Sequence, residues 1–157
     1  MFKYTLFSVF AIIFMLSTYA QDTIFFDDFE KGNATKWEYE EGWSIINENT
    51  GYSFEGIGHK WATPLIFEFS SDITICSDFK LINGGFHFSL ILSNGRYFFP
   101  INPDNIALVY EVDQTFTDID FKNISLNLNT WHNLKAVCDS TNIKLYINDS
   151  LYFDYND

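Results

Sequence analysis

The chain has 157 residues and a formal net charge of −12, is 47% hydrophobic and 20% aromatic, and carries two cysteines. That length supports one domain with a real core. So acidic a surface repels phosphate backbones and anionic lipid, which excludes nucleic acid and peripheral membrane attachment as partner classes.

Lys3, the apolar stretch Leu6 to Leu16 and the small, polar ending Ser17-Thr18-Tyr19-Ala20 form the pattern of a secretory signal peptide over residues 1–20. The apolar run is too short to span a bilayer comfortably, so a retained anchor is the weaker reading. Export places the product in the secreted, periplasmic or cell-surface compartment, with no membrane association after cleavage. Residues 21–157 show no internal repeat, low-complexity stretch or linker, and are expected to form one domain.

Phe, Tyr, Ile and Trp dominate this region, a composition that favours strands. No segment holds a helical apolar period for more than about a turn, while several alternate with period two. Strands are predicted in chain order at Thr23–Phe26, Trp43–Ile46, Tyr52–Phe54, Leu65–Phe69, Ile73–Ile82, Phe86–Leu92, Tyr97–Phe99, Ile106–Tyr110, Ser125–Leu128, Trp131–Asp139, Ile143–Ile147 and Leu151–Asp154. Asn83-Gly84-Gly85 and Asn94-Gly95 supply positive φ for tight hairpins, and Asn148-Asp149 tolerates the same conformation. Short, evenly spaced strands joined by such turns predict an all-β sandwich or barrel. Alternation places Phe86, Phe88, Leu90 and Leu92 on one face and His87, Ser89 and Ile91 on the other. It likewise turns Ile73, Ile75, Phe79 and Leu81 inward, and Thr74, Cys76, Asp78 and Lys80 outward.

In an oxidising compartment, one disulfide between Cys76 and Cys138 is feasible. Two separate small buried hydrophobes are the alternative. His59, His87 and His132 are scattered, with no nucleophile elbow and no paired metal-ligand spacing.

The run Thr130-Trp131-His132-Asn133-Leu134-Lys135, then Ile143 to Asp149, then Leu151-Tyr152-Phe153-Asp154, resembles a pattern of laminin-G-like and concanavalin A-like sandwiches. So does the opening Phe25 to Glu30 with Trp37 and Gly42-Trp43-Ser44-Ile45. The resemblance to this lectin/glucanase superfamily implies a two-sheet antiparallel jelly-roll sandwich; since members continue past the segment ending at Asp157, it implies either a sandwich lacking its last strand or one whose edge is closed otherwise. It is poorly specific for function, since this architecture hosts lectins, glycanases and adhesion modules.

Glu111-Val112-Asp113 resembles part of the family 16 glycosidase strand, but Thr115 and Phe116 stand where the second Glu belongs, and a retaining glycosidase needs that acid to protonate its leaving group. Catalysis is therefore not the leading expectation. Asp27 and Asp28, beside Glu30, offer hard oxygen ligands for the one structural calcium that many such sandwiches carry; a charged turn is the competing reading. Trp61, Tyr97 and Tyr110 as stacking faces, with His87, Arg96 and Asn133 as polar partners, are the candidate ligand-binding set on the concave sheet. The expected function is a non-catalytic carbohydrate-binding or adhesion module whose partner is a polysaccharide or glycan. A sugar-active enzyme using Glu68, Asp78 or Glu111, and a structural domain binding other cell-surface proteins, are the alternatives.

Overall fold

The structure is a computed structural model that describes residues 23–65, 72–92, 95–139 and 141–157. The expected signal peptide lies outside the described residues. Every regular element among them is a strand, and the described residues fall into two compact units, 23–65 and those from 72 to 157.

In the first unit β1 (Trp37–Tyr39) pairs antiparallel with β4 (Ala62–Pro64), and β2 (Trp43–Glu48) forms a hairpin with β3 (Gly51–Gly56). Such short ladders supply few backbone bonds, and the unit is held largely by aromatic packing around Phe54. The rings of Trp43, Tyr39, Phe29 and Trp37 stand 4.8, 5.2, 5.3 and 5.7 Å from it. Offset or edge-on ring pairs at such distances each add a fraction of a kcal/mol to about 1.5 kcal/mol beyond the area they bury. The predicted strand Thr23–Phe26 is irregular here, because its residues find no ladder partner. Of Leu65–Phe69, Leu65 follows β4 outside any strand and the rest lie outside the described residues.

The second unit is a sandwich of two four-stranded antiparallel sheets. One has the order β12-β11-β10-β5 and the other β6-β7-β8-β9. The strands are β5 (Ile73–Lys80), β6 (Phe86–Leu92), β7 (Gly95–Ile101), β8 (Asn105–Val112), β9 (Thr115–Asn123), β10 (Trp131–Asp139), β11 (Asn142–Ile147) and β12 (Ser150–Asn156). Strict alternation makes the core: Tyr97, Phe99 and Ile101 of β7 and Ile106 and Leu108 of β8 meet Leu134 and Ala136 of β10, Ile143, Leu145 and Ile147 of β11, and Phe153 of β12. Phe99 and Phe153 touch across the two sheets at 5.9 Å. The all-β, two-sheet expectation therefore holds.

Asn148 and Asp149 join β11 to β12 with φ of 49° and 62°, the primed turn whose twist matches a hairpin. Asp113 and Gln114 join β8 to β9 with the same pair of angles and no glycine. By contrast Asn83-Gly84-Gly85, expected as a hairpin turn, carries the chain from one sheet to the other, since β5 pairs with β10 and β6 with β7. Ser125–Leu128, expected as a strand, is irregular: the Leu126 N–H donates to the Pro103 carbonyl, as the preceding Ile124 N–H does to Asp104, while the Leu126 side chain plugs the core.

The turn at Asp113 delivers β9, a strand absent from the expected set. It pairs with β8 through a bulge: Val109 stands opposite Asp118 and Leu108 opposite Asp120, leaving Ile119 as the extra residue. An extra residue on one strand reverses which face its later side chains occupy.

Candidate functional site

The outer face of the β6–β9 sheet gathers groups that neither the core nor the ladder uses. Alternation directs Arg96 and Phe98 of β7 outward, opposite to Tyr97 and Phe99. In one cross-strand row Ile91, Arg96, Glu111 and Phe116 stand side by side; in the next lie Ser89, Phe98, Val109 and Asp118. Phe121 faces outward beyond the bulge, opposite Ala107.

Phe98 is the floor of this face. Only 6% of it is exposed although it points away from the core, because neighbouring side chains cover it. The His87 ring lies 5.4 Å away, Phe116 meets it edge-on at 6.0 Å, and the Arg96 guanidinium lies 5.0 Å from its centroid. Arg96 Nε donates to Glu111 Oε2 in the next strand, which fixes the guanidinium over the ring. Phe116 and Phe121 themselves are 59% and 60% exposed. Beside Phe121 an open depression of about 470 Å³ is lined by Ala107, Asp118, Ile119 and Asp120. A hydrogen bond from Lys122, 3.0 Å away, lowers the Asp120 carboxyl from its usual range, so it is an acceptor at neutral pH.

Of the residues singled out from the sequence, His87 and Arg96 lie on this face. Tyr97 and Tyr110 do not: their rings pack on each other at 4.8 Å on the core side of the same sheet, and Tyr97 is 1% exposed. The expectation that they line a binding surface is corrected by strand parity, which sends 96 and 98 out and 97 in. Burial, followed by a hydrogen bond with Asp157, raises the Tyr97 hydroxyl well above the usual phenol range, so it stays protonated. Asn133 sits on the outer face of the other sheet, where its amide donates to Asp78 Oδ1 at 3.0 Å. Trp61 belongs to the first unit, with its indole half exposed and its backbone N–H donated to Glu40. The five that lie in the second unit therefore do not form one site.

Glu111 is engaged by Arg96, and Asp113 stands in the positive-φ turn rather than on the strand, so the two carboxylates do not share a regular strand face. His132 serves the fold. It is buried, its Nδ1 accepts from Asn148 Nδ2 at 3.0 Å, and its Nε2–H donates to the Asn127 carbonyl at 3.1 Å. The feasible disulfide is absent: both cysteines are free. Cys76 pairs with Lys135 and Cys138 with Ile73, three rungs apart, with Cys76 facing outward and Cys138 packed against the core. Opposite sheet faces place the two thiols beyond bonding reach.

Asp27 and Asp28 also have local work. Asp27 Oδ1 accepts from the Phe29 amide and Oδ2 from the Trp37 indole at 3.1 Å, while Asp28 Oδ1 accepts from the Glu30 amide. Glu30 Oε1 accepts from the Tyr52 amide. Among the described residues no group of three or more His, Cys, Asp and Glu side chains is placed to hold a metal ion.

The residues missed from the sequence are Phe98, Phe116, Asp118 and Phe121. Thr115-Phe116-Thr117 alternates after a turn-forming Asp-Gln pair, and that was the available signal.

The fold and face together define a two-sheet β-sandwich with an open, aromatic and carboxylate-bearing sheet surface. No family model matches the chain, and no curated protein matches it. Among solved structures it is similar to the carbohydrate binding module CBM66 from Bacillus subtilis, with 18% sequence identity and a TM-score of 0.58 over 78% of this chain and 80% of that one. At that identity the likeness establishes a common fold.

Proposed function

We propose that the chain is an exported, non-catalytic carbohydrate-binding or adhesion module of the concanavalin A-like type, which takes a glycan on the outer face of the β6–β9 sheet. The observation that carries this reading is the pairing, on one open face, of largely exposed Phe116 and Phe121 with Arg96, Glu111 and Asp118. Sugars are bound by stacking their C–H faces on aromatic rings while side-chain acceptors and donors take the hydroxyls. The fold shared with a carbohydrate binding module supports the same reading. Net charge of −12 supports a glycan over nucleic acid as partner.

Pull-down on insoluble polysaccharides, followed by a glycan array, tests it. The mature protein is expected to be retained by at least one polysaccharide, and Arg96→Ala to weaken retention about tenfold or more, since it removes a hydroxyl donor and frees Glu111. Flat signals across neutral and acidic panels would sink the proposal.

A further inference from the structure

The two exposed rings of the face reach it by different routes. Phe121 lies an odd number of positions along the strand from Phe116, so without interruption the two would point to opposite faces. Their partners on β8, Glu111 and Ala107, lie an even number of positions apart and share a face. The bulge at Ile119 corrects the parity and turns both rings outward. Without it Phe121 would enter the core side, and Asp120 would take its place outside.

That arrangement fixes a spacing. Four positions on β8 separate the two partners, which at the rise of an antiparallel strand places the two rings about 14 Å apart. Asp118 lies between them along β9, and Val109, its neighbour on β8, is apolar and buried. A single monosaccharide cannot touch both rings. A chain of several sugar units lying along β9 can, stacking at each end while Asp118 accepts from a hydroxyl midway.

Charge narrows the ligand. Arg96, a cation of the face, is bound to Glu111, and Asp118 adds a further carboxylate to it, while Asp120 lies across the bulge in an ion pair with Lys122. An anionic polysaccharide would be repelled here by both the local carboxylates and the net charge of −12. Hydroxyl donors suit carboxylate acceptors. Phenylalanine, with no polar tip, suits the C–H faces of neutral sugar rings.

Resting on the carbohydrate-binding reading above, we infer that the ligand is an uncharged polysaccharide bound internally along its chain, clamped by Phe116 and Phe121 as two platforms that the β9 bulge brings to one face. The test is calorimetric titration of the mature chain with cello-, laminari- and manno-oligosaccharides, each from the monosaccharide to the hexasaccharide. In the series that binds, affinity is expected to rise with length and level off once the chain spans both rings. Phe116→Ala and Phe121→Ala are each expected to abolish that rise, lowering hexasaccharide affinity about tenfold and leaving it close to that of the short sugars. Both rings are exposed, so an unchanged melting temperature and circular dichroism spectrum certify the fold of each variant. Affinity that is independent of length in the unaltered protein, or a length advantage surviving in Phe121→Ala, overturns the two-platform inference while leaving carbohydrate binding in place. Absence of binding across all three series overturns both.

Discussion

Phe98 and Phe99 are chemically identical neighbours, and the structure assigns them opposite duties. Phe99 is fully buried between the sheets of the second unit, 6.1 Å from Phe88 and 5.9 Å from Phe153. Its truncation to alanine removes the full burial of the ring and leaves a void walled by both sheets, which costs about 3–5 kcal/mol. Against a typical total of about 5–15 kcal/mol, that is a large share of the stability. With a urea slope of about 1–3 kcal/mol/M, the midpoint falls by about 2 M. Phe98 is covered only by the ends of His87, Arg96 and Phe116, which can close over the gap or admit water, so Phe98→Ala costs about 1–2 kcal/mol. The assay is urea-dependent hydrogen exchange resolved on peptides covering β7 and β11, so that the first unit does not contribute. Glycan retention is measured on the same proteins, and Phe98→Ala is expected to lose more of it than of stability. Equal stability losses at the two positions, or the larger loss at Phe98, would refute the assignment of faces on β7 and with it the candidate site.

Two further predictions follow from backbone and thiol geometry. Gly95 opens β7 with φ of 155°, and a Cβ there would stand 2.5 Å from the Glu111 carbonyl oxygen, so Gly95→Ala is expected to cost about 2–4 kcal/mol. Gly84 also has positive φ but open space around it, so Gly84→Ala should cost about 1 kcal/mol, and thermal melts of the pair separate strain from collision. Both cysteines are expected to titrate as free thiols in urea without reductant; recovery of a Cys76–Cys138 peptide by mass spectrometry under those conditions would contradict the register of β5 on β10. In the folded protein Cys76, exposed, should alkylate before Cys138, whose thiol burial pushes up; below that raised pKa less thiolate is present, so its rate keeps climbing at pH values where an ordinary thiol has levelled off.

The sandwich was legible because its strands advertise themselves. Ile73 to Lys80, Phe86 to Leu92 and Trp131 to Asp139 alternate, and of the residues read as inward-facing on β5, β6 and just after β5, Ile75, Phe79, Leu81, Phe86, Phe88 and Leu90 are packed in or against the core. The Asn148-Asp149 turn was legible from the αL tolerance of its side chains. Partner choice was not. Asn83-Gly84-Gly85 has hairpin chemistry but joins two sheets, because β10 out-competes β6 as the neighbour of β5 with an unbroken ladder from Trp131 to Cys138. β1 and β4 are too short for any period to register, and they pair only through tertiary packing.

The site was hidden for a different reason. A ligand-binding face made from a sheet is defined by parity, and parity can be read from sequence only if the register runs unbroken. Tyr97 and Tyr110 were plausible stacking residues by type, yet both fall on the core parity of their strands. In Thr115–Asn123 the apolar residues Phe116, Ile119 and Phe121 follow no single period, so beyond the brief alternation of Thr115-Phe116-Thr117 the strand signal is lost and the two rings cannot be assigned to one face. The same bulge that erases the alternation puts Phe116 and Phe121 on the same outer face. A sheet that must present two large apolar rings to solvent gains nothing by burying either, and its edge strand accordingly has eight of nine residues exposed. An edge so open invites pairing with another chain unless something opposes it. Here Asp118, Asp120 and Lys122 place charges along β9, and the bulge interrupts its flat ladder, so the device that builds the binding face also protects the edge.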